Sequence, residues 1–158
     1  MRSDALADRM LAAGRPDAYL DLFDQLVLDA AIHRLLNAPA STPGRELLHQ
    51  LLLSPVHRCH QQVVRRLRQL AHPDSVVCVE QVLKNGFDYL AYTGLTSAEI
   101  ATWFSRLLWA IGTPRAFALI RVQACSADEG IRTEMTRWLK RIAASETPQE
   151  KGDAVIGG

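Results

Sequence analysis

The chain lacks the short motifs around which most catalytic sites are built. No glycine-rich phosphate loop, G-x-S-x-G elbow, H-E-x-x-H or C-x-x-C occurs in its 158 residues, which leaves phosphate-loop, esterase-elbow, zincin and dithiol chemistry without a foothold. No window approaches eighteen uncharged apolar residues, so no transmembrane helix is expected. Residues 1–14 carry Asp4, Asp8 and Arg9 among apolar neighbours, and a signal peptide's unbroken apolar stretch is missing there. Nor is there an excess of one charge. Lys plus Arg number 18 against 17 Asp plus Glu, so no global field draws the chain to nucleic acid or an anionic membrane. The three cysteines, Cys59, Cys78 and Cys125, are odd in number and far apart. Each lies in an apolar helical stretch, which predicts buried free thiols and suits a reducing cytoplasm. Alternating strand patterns are absent as well.

What is present is helical period with an ordinary globular balance, 48% apolar and 22% charged. A helix is expected from Ser3 to Ala13, stopped by Gly14. A second starts near Pro16 and runs to Asn37, with Leu22, Phe23, Leu26, Val27 and Ala30 on an apolar face and Asp17, Asp21, Asp24 and Asp29 on an acidic one. A loop through Ala38–Thr42 and Pro43-Gly44 precedes a short helix, Arg45 to Leu53. Ser54-Pro55 reads as N-cap and first turn of a helix over Val56–Ala71, with Val56, Cys59, Val63, Leu67 and Leu70 in one stripe. Ser75–Leu83 follows the His72-Pro73-Asp74 turn. After Asn85-Gly86 and a linker, Thr96-Ser97-Ala98-Glu99 forms a capping-box pattern that opens a helix to Ile111. Arg115–Ala124 follows Gly112-Thr113-Pro114. Ser126-Ala127-Asp128-Glu129 is a second capping-box pattern, opening a helix to Ala144 along Met135, Leu139 and Ile142.

These units repeat. Placing Pro73 on Pro114 sets an offset of 41 residues and brings Leu67 onto Leu108, Leu70 onto Ile111, Val76 onto Phe117 and Val79 onto Ile120. A repeat of about forty residues with two helices and a proline turn is the pattern of a helical solenoid, in which each pair buries its stripe only against the next. On the segments Leu70-Ala71-His72-Pro73, Ile111-Gly112-Thr113-Pro114 and Ser126-Ala127-Asp128-Glu129-Gly130, the stretch from Val56 to Ala144 resembles bacterial HEAT-repeat proteins. The resemblance implies an all-α, right-handed HEAT-like α-solenoid of antiparallel helix pairs. Residues 1–55 would form an N-terminal helical cap, 56–145 the repeats and 146–158 a flexible tail. The chain departs from the wider family in lacking the usual Asp or Arg at regular inner positions.

Few residues invite a chemical role. His57 and His60 lie one turn apart beside Cys59, yet Cys59 faces the apolar stripe and a closed zinc site needs four converging ligands. They read as partly exposed helix histidines, and no metal is expected. Cys78 and Cys125 sit among Val, Leu and Ala, where burial suppresses the thiolate. Asp128 and Glu129 complement a helix dipole. No catalytic residue and no cofactor is therefore expected.

Two stretches invite a partner instead. Asn85–Gly94 holds Phe87, Asp88, Tyr89 and Tyr92 between two glycines, with Trp103 soon after, and such amphipathic rings form interface hot spots. They serve equally to fill a seam, with Phe87 and Tyr89 plugging it and Tyr92 packed on Trp103. Trp109 and Trp138 read as core or groove wall. Arg58, Arg65, Arg66 and Arg68 form a basic cluster, and from Val56 to Ser126 eight Lys or Arg face four Asp or Glu. Arg65 and Arg68 share their face with Gln61, Gln62 and Gln69, as a solvated face also would.

The short HEAT-repeat proteins encoded beside bacterial polymorphic toxins are similar in size and build. That resemblance implies a cytoplasmic, non-catalytic immunity-type protein that covers a cognate toxin's working surface. The contacts it implies are Asp88, Tyr89, Tyr92, Glu99 and Trp103, then the acidic face of Asp17, Asp21 and Asp24, which would steer a basic toxin. The alternative is a nucleic-acid-binding protein or enzyme that uses a basic solenoid groove at Arg65 and Arg68. A structural subunit of a larger complex is the third possibility.

Overall fold

A computed structural model describes residues 22–146, with side chains from Gln25 onward, and every regular element in it is helical. The elements are α1 (Leu22–Asn37), α2 (Thr42–Leu53), α3 (His60–Leu70), α4 (Ser75–Asn85), a 3-10 helix (Asp88–Thr93), α5 (Ser97–Ile111), α6 (Pro114–Gln123) and α7 (Glu129–Glu146). The expected helix from Ser3 to Ala13, the restart at Pro16 and the tail beyond Glu146 lie outside the described residues. No helix among the described residues is long and apolar enough to cross a membrane.

Successive helices alternate between two layers. Helix α1 packs on α3, α3 on α5 and α5 on α7, while α2 packs on α4 and α4 on α6. The core lies between the layers, where Leu52, Leu67, Phe104, Leu107, Leu108 and Ile120 are buried. Each such side chain contributes roughly 1.5–3 kcal/mol by leaving water, so a stripe on every helix is consumed by its neighbours.

Local chemistry sets the ends. Thr96 Oγ1 accepts from the Glu99 amide while Glu99 Oε2 accepts from the Thr96 amide at 2.7 Å, the capping box expected there. Helix α2 begins earlier than expected. Ser41, in extended backbone, caps it by accepting from Gly44 N at 3.1 Å, and Pro43 occupies the first turn, where no N–H is needed. Helix α3 begins later, at His60 rather than Val56. Side chains intercept the amides that an earlier turn would use, since the Cys59 amide donates to His57 Nδ1 at 3.0 Å. At α7 the cap is Asp128, not Ser126: Asp128 Oδ1 accepts from Ile131 N, and Ser126 Oγ accepts from Asp128 N.

Burial also departs from expectation in places. Helix α1 buries Leu28, Ala31 and Ile32, while Leu26 is 61% exposed and Ala30 faces solvent. On α4, expected from its run of valines to be apolar all round, Val77 is exposed. A face chosen by composition alone was rotated in α1, because Leu, Val and Ala occur all round that helix. Cys78 is buried, but Cys125 sits exposed in the turn before α7, and Cys59 is half-buried.

Candidate functional site

The first candidate is the histidine pair. His57 and His60 are 1% and 0% exposed, not partly exposed, and their rings stack at 4.0 Å. Each Nε2 faces a carbonyl, Leu51 for His57 and Ser54 for His60 at 2.7 Å, so each must donate from that nitrogen. His57 Nδ1 accepts from the Cys59 amide, and His60 Nδ1 accepts from the Tyr92 hydroxyl at 2.7 Å. All four ring nitrogens are therefore engaged, both rings are neutral, and no lone pair is open to a metal ion. Burial, and then His57 beside it, lowers His60 to about 4. Burial lowers His57 too, against the raising effects of the Leu51 carbonyl and Asp29. The site is a structural clasp.

The aromatic linker is part of the same clasp. Gly86 and Gly94, at φ of 87° and 69°, carry the chain into and out of the 3-10 helix in a region that side-chain-bearing residues avoid. Between them Leu90 is fully buried, Phe87 stacks on Phe104 at 5.7 Å, and the Tyr89 hydroxyl donates to Leu52 O at 2.8 Å. Phe87 and Tyr89 thus fill the seam, as one of the two readings had it. Tyr92 turns to His60 rather than to Trp103, which lies elsewhere on α5. It remains 38% exposed, with the Arg58 guanidinium 5.7 Å above its ring. Burial raises both tyrosine hydroxyls, so both stay protonated donors.

Of the acids singled out from sequence as partner contacts, Asp88 and Glu99 have described side chains. Asp88 is exposed on the 3-10 helix, while Glu99 is exposed but engaged by Thr96, whose amide lowers its carboxyl below the usual range. Asp17 and Asp21 lie outside the described residues, as does the side chain of Asp24.

A cleft between α3 and α5 draws together residues that sequence reasoning had assigned to rival hypotheses. Its walls are Gln61, Val64, Arg65 and Arg68 of α3 and Trp103 and Arg106 of α5. The α3 residues follow i, i+3, i+4, i+7 and so share one face, and Trp103 and Arg106 are one turn apart on the facing helix. Val64 is buried and forms an apolar floor, Trp103 is half-buried, and the three arginines are exposed. Among the described residues no acid, carbonyl or ring partners Arg65, Arg68 or Arg106. Other arginines differ. Arg45 pairs with Asp74, Arg121 with Glu146, and Arg66 donates to the Ala38 carbonyl at 2.9 Å. Arg141 stacks on Trp138 at 4.9 Å.

Arg106 was not singled out from sequence. Its one signal is its place a turn after Trp103, which gains meaning only once α3 and α5 are neighbours. Trp109 and Trp138 belong to the aromatic packing of α5, α6 and α7, as expected, with Trp138 Nε1 donating to buried Glu134 at 2.9 Å.

These features define a class: among the described residues, a two-layered, all-helical protein whose buried side-chain nitrogen and oxygen atoms all have hydrogen-bond partners, with an arginine–tryptophan cleft facing solvent. No protein-family model, curated protein or solved structure matches the chain.

Proposed function

We propose that this protein is a cytoplasmic, non-catalytic protein-binding module, an immunity-type protein that neutralises a cognate bacterial toxin by stoichiometric occlusion. One observation carries the proposal. The cleft sets a half-buried indole among three arginines that pair with nothing in the fold, and a fold gains no stability from clustering like charges without counter-charges. Aromatic and arginine side chains are the commonest anchors of protein interfaces. The alternation of helices between two layers, each hairpin packing on the next, supports a HEAT-like solenoid as the scaffold. Such a scaffold acts by presenting a rigid surface. Trp103 is the central contact, with Tyr92 and Asp88 on the exposed linker beside it in sequence. Tyr89 and Glu99 contribute by holding the linker and the start of α5.

Co-purification of the full chain from its native host tests this. One protein should be retained in stoichiometric amount and lost with Trp103→Ala. Retention of nothing, or retention unchanged by Trp103→Ala and Tyr92→Ala together, overturns the proposal. The same cleft carries a second reading, a nucleic-acid face at Arg65 and Arg68, because an indole beside guanidinium groups also suits a base and its phosphate.

A further inference from the structure

We infer that the α3/α5 cleft recognises carboxylates: the partner inserts a short acidic protein segment, an apolar residue flanked by Asp or Glu, between Arg65, Arg68, Arg106 and Trp103. This rests on the protein-binding reading above and specifies its chemistry. It also reverses the expectation from sequence that acids on this chain would meet a basic partner.

Val64 is buried at the floor and the Trp103 indole forms one wall, so apolar groups stand among the guanidinium groups. Arg65, Arg68 and Arg106 supply those guanidinium groups, and Gln61 adds an amide at the edge. A guanidinium presents a planar fork that matches a carboxylate in two parallel hydrogen bonds. Three unpaired forks around an apolar floor therefore fit a segment with an apolar side chain at its centre and carboxylates on either side.

A polynucleotide fits less well, for reasons of extent. Nucleic-acid affinity grows with phosphate contacts, and strong binders make roughly 6–10 of them. Here the cleft itself offers three, and two neighbouring arginines are engaged elsewhere. Arg66, the remaining arginine of α3, is turned away to the Ala38 carbonyl and Gln69, and Arg58 lies over the Tyr92 ring. Glu99 stands one turn before Trp103 on α5 and faces solvent. Take the three cleft arginines from the 18 Lys and Arg of the chain, and the remainder is outnumbered by its 17 Asp and Glu. A short acidic segment needs no more than these three guanidinium groups.

The indoles make a direct test. Only Trp103 lines the cleft, while Trp138 is buried against Glu134 and Trp109 stacks on Trp138. The isotope-labelled full chain is titrated, at low salt, with a capped peptide of glutamates around a central leucine and, separately, with an oligouridine of equal charge. The peptide should move the Trp103 indole N–H resonance and the Arg65, Arg68 and Arg106 side-chain resonances, leaving the other two indoles in place. Replacing any one of the three arginines by Gln should weaken the peptide by about five-fold. The unmoved Trp109 and Trp138 signals report that each variant is folded.

Three results overturn the inference: no movement of Trp103 at millimolar peptide, peptide binding unchanged by the arginine variants, or oligouridine binding tighter than the peptide through the same residues. A partner retained in co-purification yet indifferent to all three arginine variants would sink the carboxylate cleft while leaving the binding-module reading in place. Failure to retain any partner would sink that reading on its own.

Discussion

Acid should weaken this fold through His60 in a narrow and predictable window. In an unfolded chain histidine titrates near pH 6.5. In the fold His60 is held at about 4, mainly by burial and secondarily by the stacked His57. Between those two values the unfolded chain binds a proton that the native protein refuses. Stability is therefore full above about pH 6.5, falls as pH drops through the window, and levels off below about pH 4. A separation of about 2.5 units corresponds to about 3 kcal/mol at the acid limit, of which about 2.5 kcal/mol is already lost near pH 4.5. His57, lowered in the same direction, adds to the loss. Urea unfolding at a series of pH values, followed by far-UV circular dichroism, measures the slope. His60→Leu supplies the control. It removes the donor to Ser54 O and the acceptor for Tyr92, at a cost of about 2 kcal/mol near neutrality. Its stability should then fall less with acid than that of the parent, by about 2.5 kcal/mol between pH 7.5 and 4.5. Carboxylates such as Glu99 and Asp128, both lowered by hydrogen bonds, titrate alike in the two proteins and cancel. Parallel pH profiles for parent and variant would refute the assignment of two neutral, carbonyl-bonded histidines.

Two further predictions probe the packing of α7. Gly130→Ala should lower the melting temperature. A Cβ there would fall 2.5 Å from the Ala98 amide nitrogen at the start of α5 and closer still to Ser97 Oγ. The overpacking costs about 1–3 kcal/mol, against a helix-propensity gain of about 1 kcal/mol, and a raised melting temperature would contradict the close approach. At Glu134, Trp138 Nε1, Ser105 Oγ and Arg137 Nη2 all converge on one oxygen, Oε1. Glu134→Gln keeps an acceptor there and should cost under about 1 kcal/mol, whereas Glu134→Ala strands the buried Trp138 Nε1, leaves Ser105 Oγ to the Thr102 carbonyl alone and should cost about 1–3 kcal/mol. Chemical denaturation of the pair checks the ordering.

Features set by neighbours in sequence were legible, and those set by distant contacts were not. The Thr96/Glu99 box, the Thr113-Pro114 turn and the end of α1 at Asn37 depend on residues within a turn of one another. The start of α3 depends on His57 claiming the Cys59 amide, which periodicity does not register. The burial of the two histidines was missed for the same reason, because their acceptors lie six residues back, Leu51 in the last turn of α2 and Ser54 just beyond it. Cys125 looked buried because it sits among apolar residues such as Val122 and Ala124, although a turn puts it in solvent. The cleft was half visible. Arg65, Arg68 and Trp103 each stood out, but in support of different partners, since nothing local says that α3 and α5 lie side by side. Arg106 joins them only in three dimensions.

A photo-crosslinking amino acid placed at position 103 of the full chain in its native host tests the central claim most directly. Val122, 65% exposed on α6 in the other layer, serves as the control position. The cleft account predicts one covalent protein adduct from position 103, none from 122, and loss of the adduct when Arg65, Arg68 and Arg106 are replaced by Glu. An adduct at 122 with none at 103, or one at 103 that survives the charge reversal, would contradict it.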